Sequence, residues 1–178
     1  WTASRHAAEL RKQRLAAIHC DAEGALWLPH RSGVLRFDPV QDTLRRLPQV
    51  GEPWAEGAPE YIAQTPDGTL WIPSFNEGVL MRFDPRARQF TGAFPLPTLN
   101  PGEFETPYAL NIHPRTGDVW ITGNLSDRML RFVPATERFL EYPSPTRTMF
   151  ARDVIFTGDG SVCTSNSNLP AAAIEGGR

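Results

Sequence analysis

His30, Glu77, Asn124, Asp153 and Asn166 stand out first among the side chains of this 178-residue chain, because their types could do chemistry. An imidazole titrates near neutrality, so His30 is the candidate general base or ligand, and the one candidate catalytic residue. The oxygens of Glu77, Asn124, Asp153 and Asn166 suit a hard cation such as Ca²⁺ or Mg²⁺, which makes them candidate metal ligands. Tyr61, Ser74, Asn76, Glu77, Tyr108, Asn124, Asp127, Arg152, Asn166 and Asn168 add hydroxyl, amide and charged groups able to hold a small-molecule or protein ligand. Asn and Asp also cap turns and satisfy loop backbone, so for Asn76, Asn124 and Asp127 both readings stay open.

These residues matter together only if the chain brings them to one place, and an internal repeat supplies the means. Gly33-Val-Leu-Arg-Phe-Asp-Pro39 recurs as Gly78-Val-Leu-Met-Arg-Phe-Asp-Pro85 and as Arg128-Met-Leu-Arg-Phe-Val-Pro134. Trp27, Trp71 and Trp120 keep the same beat, 44 and 49 positions apart, with Cys163 standing 43 further on. Each unit runs from a short apolar stretch through a tight turn at Gly24, Gly68, Gly117 or Gly160 into a Trp-centred strand, or its Cys163 counterpart. In the three complete units a variable loop, the Val-Leu-Arg-Phe strand and a fourth strand follow. Asp38-Pro39 and Asp84-Pro85 predict type I turns between the last two strands. A period of roughly 40–50 residues with short strands predicts an all-β chain, a β-propeller of four-stranded antiparallel blades.

The spacing places blades at about 15–60, 61–106 and 107–150, with an incomplete one at 151–178. Residues 1–14 fall outside the repeat and predict a connector or the remnant of a preceding blade, with a short surface helix over His6 to Arg14. Closed propellers hold roughly four to eight blades. The expectation is therefore a fragment of a six- or seven-bladed ring, completed by further blades of the same chain or by a second copy. Within a blade, the loop after the Trp strand and the segment entering the first strand open on one rim, where ligands converge. The candidate residues lie on that rim, with Glu60 among them, whereas His19 and His113 fall at the other end and predict structural roles.

Net charge of −2 and a pI of about 6.1 leave no electrostatic footprint for nucleic acid or anionic lipid, and no apolar run predicts membrane insertion. Arg36, Arg82 and Arg131 hold one slot in three blades, which predicts a repeated structural contact such as a pair with a carboxylate of the neighbouring blade. Cys20 and Cys163 belong to non-adjacent blades, so no disulfide is expected.

Pro66-Asp-Gly-Thr-Leu-Trp-Ile-Pro-Ser74, with Phe94-Pro-Leu-Pro97, Thr116-Gly-Asp-Val-Trp-Ile-Thr-Gly-Asn124 and Glu141-Tyr-Pro-Ser-Pro145, resembles the blades of the streptogramin lyase (virginiamycin B lyase) family. That resemblance runs from about Leu15 to the end and implies a seven-bladed lyase that uses a His, glutamates and magnesium to open a cyclic depsipeptide ester. Family blades tend to read Trp-Phe-Thr-Glu; the matching positions here are His30, Ser74, Gly123 and Asn166, none of them a glutamate. A ligand-binding or interaction propeller, as a sensor or periplasmic module of a larger protein, therefore leads. A C–O lyase or lactonase with catalytic residues in other blades is the alternative, and a purely structural docking propeller the third reading.

Overall fold

The computed structural model describes residues 4–12, 17–30, 33–47, 59, 61–123, 126–147 and 149–165. The chain divides into two compact units, Trp1–Phe94 and Pro95–Arg178. Among the described residues there are three four-stranded sheets and a two-stranded one.

In the first unit β1 (His19–Cys20), β2 (Leu26–His30), β3 (Gly33–Asp38) and β4 (Thr43–Leu47) pair in sequence order as an antiparallel sheet. β5 (Ala63–Gln64), β6 (Leu70–Ser74), β7 (Val79–Asp84) and β8 (Gln89–Pro95) repeat that order. The register is the same in both: Trp27 faces His19 and Arg36, and Trp71 faces Ala63 and Arg82. Gly24 and Gly68 turn the first hairpin of each sheet with φ of 83° and 94°, a region in which a Cβ is strained. At the last hairpin of each sheet, which lies at the same end, Asp38 and Asp84 accept the N–H groups of Val40 and Gln41, and of Arg86 and Ala87, as the Asp-Pro turns predict.

The two sheets of this unit pack face to face. Trp27, Val34 and Leu47 of one meet Ile62, Leu70, Ile72, Met81 and Phe83 of the other, and every residue of β6 is buried. That two-sided burial is why its sequence lacks alternation. The predicted helix is present as α1 (Ala7–Lys12), and the last two positions of the expected span, 13 and 14, lie outside the described residues. Ser4 accepts the N–H of His6 and donates to Asp42, while Leu10 packs on Leu28, Leu35 and Phe37. The helix thus covers apolar surface of the first sheet.

In the second unit β9 (Pro107–Ile112), β10 (Val119–Gly123), β11 (Arg128–Val133) and β12 (Arg138–Pro143) form the third sheet, followed by the pair β13 (Ile155–Phe156) and β14 (Val162–Cys163). Trp120 faces Asn111 and Arg131, and Cys163 faces Ile155, which puts Cys163 in the tryptophan slot. Trp27, Trp71 and Trp120 are all buried.

The repeated arginines do make a repeated contact, but not the one expected. Arg36 lies 5.6 Å from the Trp27 ring and Arg131 6.0 Å from that of Trp120, while Arg82 lies over Phe94, itself against Trp71. Their acidic partners come from their own sheet: Glu23 and Asp38 for Arg36, and Asp118 for Arg131. Cross-strand pairing puts the Arg36 and Arg131 guanidiniums beside the indoles opposite them, and Arg82 also donates to Thr91 of the next strand. Both cysteines are free and exposed.

Candidate functional site

In the second unit the rim is built from the ends of β10 and β9 and from the linkers that bring the chain in. β10 ends at Gly123, and a Cβ there would stand 2.9 Å from the Ser126 hydroxyl and 3.1 Å from the Glu105 carboxylate. Glycine is what lets Glu105 lie in that space. Glu105 and Arg128 are buried and paired at 3.2 Å; Arg128 also donates to Ser126 Oγ at 2.8 Å, to the Pro97 carbonyl at 2.5 Å and to Glu141. This network ties the linker entering β9 to the start of β11.

Asp127 holds the next linker. It adopts φ of 49°, accepts the Met149 N–H on its carboxylate at 2.7 Å and the Ser144 N–H on its carbonyl at 2.7 Å. Phe150, next to Met149, is thereby fixed against Tyr108, with ring centroids 6.2 Å apart. Arg152 lies against both rings, its guanidinium carbon 5.3 Å from the Tyr108 centroid and 4.9 Å from that of Phe150. Its Nη1 donates to the Tyr108 hydroxyl at 3.3 Å. A half-buried cation braced by two aromatic faces is preorganised for an oxyanion or carbonyl, and the rings offer stacking surface beside it.

Tyr108 and Arg152, both singled out from the sequence, are brought together here from 44 positions apart. The register explains it. Asn111 and Ile155 face Trp120 and Cys163, so Tyr108 and Arg152 occupy equivalent positions in successive sheets, as do Thr106 and Phe150. Sequence reasoning missed Phe150, Glu105 and Arg128; counting back from the Trp register would have reached Phe150. Nothing comparable announces the Glu105–Arg128 pair.

In the first unit Ser74 ends β6, buried, and donates its hydroxyl to the Glu77 carboxylate. Asn76 is exposed beside it, and Tyr61 is half-buried. His30 ends β2 and is 7 % exposed. Asp153 caps its own strand entry by accepting the Val154 N–H at 2.8 Å. Asn124, Asn166, Asn168 and Glu60 lie outside the described residues.

Of the four candidate cation ligands, Asn124 and Asn166 lie outside the described residues. Glu77 bonds Ser74, Asp153 serves backbone, and among the described residues no three His, Cys, Asp or Glu side chains converge as a metal site. His19 and His113 stand at the hairpin end of their own sheets, as expected: His19 pairs with Gln64 at 3.2 Å, and His113 Nδ1 accepts the N–H groups of Arg115 and Thr116.

Four-stranded antiparallel sheets of one register, repeated along the chain, define a β-propeller. No protein-family model matches the chain, and no curated protein matches its sequence. Solved structures share the fold. Virginiamycin B lyase from Staphylococcus aureus superposes with a TM-score of 0.71 at 17% identity, over 85% of this chain and 48% of that one. A catalytically inactive variant of that enzyme, solved with quinupristin, gives 0.70 at 16% identity over 85% and 48%. An extracellular domain from B. thetaiotaomicron gives 0.65 at 16% identity, over 84% of this chain and 19% of that one. The chain thus spans about half the length of the lyase structures it matches. Among the described residues no helix is long and apolar enough to cross a membrane.

Proposed function

We propose that this chain is a ligand-binding propeller module whose recognition element is Arg152 set between Tyr108 and Phe150. The observation that carries the reading is the contact of the Arg152 guanidinium with the Tyr108 hydroxyl and with both rings. A guanidinium held against aromatic faces loses little freedom when it takes an oxyanion, and the rings add apolar area. The ligand class is a small molecule or peptide end bearing a carboxylate or carbonyl beside a planar or apolar group. The solved lyase variant with quinupristin supports the fold's capacity to hold a small molecule. The commitment of Glu105 to Arg128 weighs against a lyase centre in these blades.

Quinupristin and benzoate serve as probes, followed by calorimetry and by mass spectrometry of the quinupristin. Saturable binding of either, weakened about tenfold or more by Arg152→Ala and recovered in part by Arg152→Lys, is the expected outcome. Binding unchanged by Arg152→Ala would remove this element from the site. Linearised quinupristin would replace the binding reading with the lyase one.

A further inference from the structure

A second feature lies at the hairpin end of the first unit, away from the loop after each Trp strand. A groove of about 930 Å³ runs between its two sheets, with His19, Trp27 and Gln64 among its lining. The His19–Gln64 hydrogen bond, 3.2 Å, joins the two first strands there and holds the groove at a set width. Arg36, Arg45, Arg86 and Arg88 line it, as do Asp21, Glu23, Asp67 and Asp84.

The charges cancel in number, but the hydrogen-bonding capacity does not. Asp21 accepts from the N–H groups of Glu23 and Ala25 and from the Trp27 indole; Asp67 accepts from Thr65 and Thr69; Asp84 accepts from Arg86 and Ala87 backbone. Asp21 uses both carboxylate oxygens in its turn, and Asp67 and Asp84 each use Oδ1. By contrast, the guanidiniums of Arg45, Arg86 and Arg88 meet no side-chain or backbone acceptor among the described residues, and Arg36 stands 3.8 Å from each of its two carboxylates. The groove therefore offers guanidinium donors from both sheets.

We infer that this groove is a binding site for a small polyanion, a molecule with two or more carboxylate or phosphate groups that bridges the arginines of the two sheets. Guanidiniums present forked donors that match either oxyanion. The volume falls in the range of roughly 300–1,000 Å³ typical of small-molecule sites. The site stands independently of the Arg152 element.

Citrate and pyrophosphate, each titrated into the whole 178-residue chain by calorimetry, test it. Saturable binding is expected for at least one, weakening as salt is raised. The exposed pair replaced as Arg86→Ala with Arg88→Ala should bind at least tenfold more weakly with an unchanged melting temperature, while Arg152→Ala should bind as the parent does. Tighter citrate binding identifies a carboxylate ligand, and tighter pyrophosphate binding a phosphate ligand. No saturable heat with either probe, or binding indifferent to the double replacement, overturns the inference.

Discussion

At the scale of single residues, the Glu105–Arg128 pair carries the clearest consequence. Both side chains are almost fully buried, at 2 % and 3 % exposure, so removing Arg128 leaves the Glu105 carboxylate without its cation away from water, while removing Glu105 leaves Arg128 with Glu141. Arg128→Ala should cost about 3–5 kcal/mol in denaturant unfolding, and Glu105→Ala less, because Glu141 still pairs with Arg128. Replacing both, Glu105→Leu with Arg128→Met, should cost less than Arg128→Ala, because no buried lone charge remains and Glu141 is half exposed. A double variant as damaged as the sum of the singles would show that the pair contributes through more than charge compensation. Trp71, 1 % exposed, should cost about 3–5 kcal/mol as Trp71→Ala, measured the same way.

At the scale of the elements, the turns hold the measurable chemistry. Thr157 donates its hydroxyl to Asp159 and the Ser161 N–H adds a second bond, which together lower that carboxyl to about 2 from 3.8. The Thr65 hydroxyl, ahead of the Thr69 N–H, lowers Asp67 in the same way. A carboxylate depressed on folding contributes stability that is present above its unfolded pKa and is lost as pH falls through the folded one. For Asp159 that window runs from 3.8 down to about 2. An NMR titration of its carboxyl carbon should find the midpoint near the lower value, and Thr157→Val should move it upward. Arg88 closes the β7–β8 turn at φ of 56°, the slot taken by Asp42 and Glu137 in the other sheets. Arg88→Gly should therefore stabilise by a few tenths to about 1 kcal/mol in thermal unfolding, since glycine adopts that backbone without the Cβ clash.

At the scale of the whole molecule, the surface of β12 bears on assembly. Leu140 and Tyr142 are 46 % and 39 % exposed, and Ile155 of β13 is 53 % exposed. Partner surface, from further blades or from a second copy, is proposed to cover them. The 178-residue chain on its own is then expected to bind hydrophobic dyes or to self-associate. A dye-negative monomer by light scattering would count against that proposal.

Much of the fold was legible because it is periodic. Trp27, Trp71 and Trp120, with a turn glycine before each, determine strand order and register, since a hairpin of given length pairs only one way and a one-residue slip would turn the indoles out of the core. The same counting located Tyr108 and Arg152 at one rim. What it could not decide was which side chains meet, because that depends on packing between sheets and on linkers outside the repeat. Phe150 reaches Tyr108 only because Asp127 pins Met149, and Glu105 reaches Arg128 only because Gly123 leaves room. His30 shows the same limit: its place at the end of a strand follows from the repeat, while its burial depends on what packs over it. Spacing determines position along a strand; tertiary packing alone decides exposure, partners and hence chemistry.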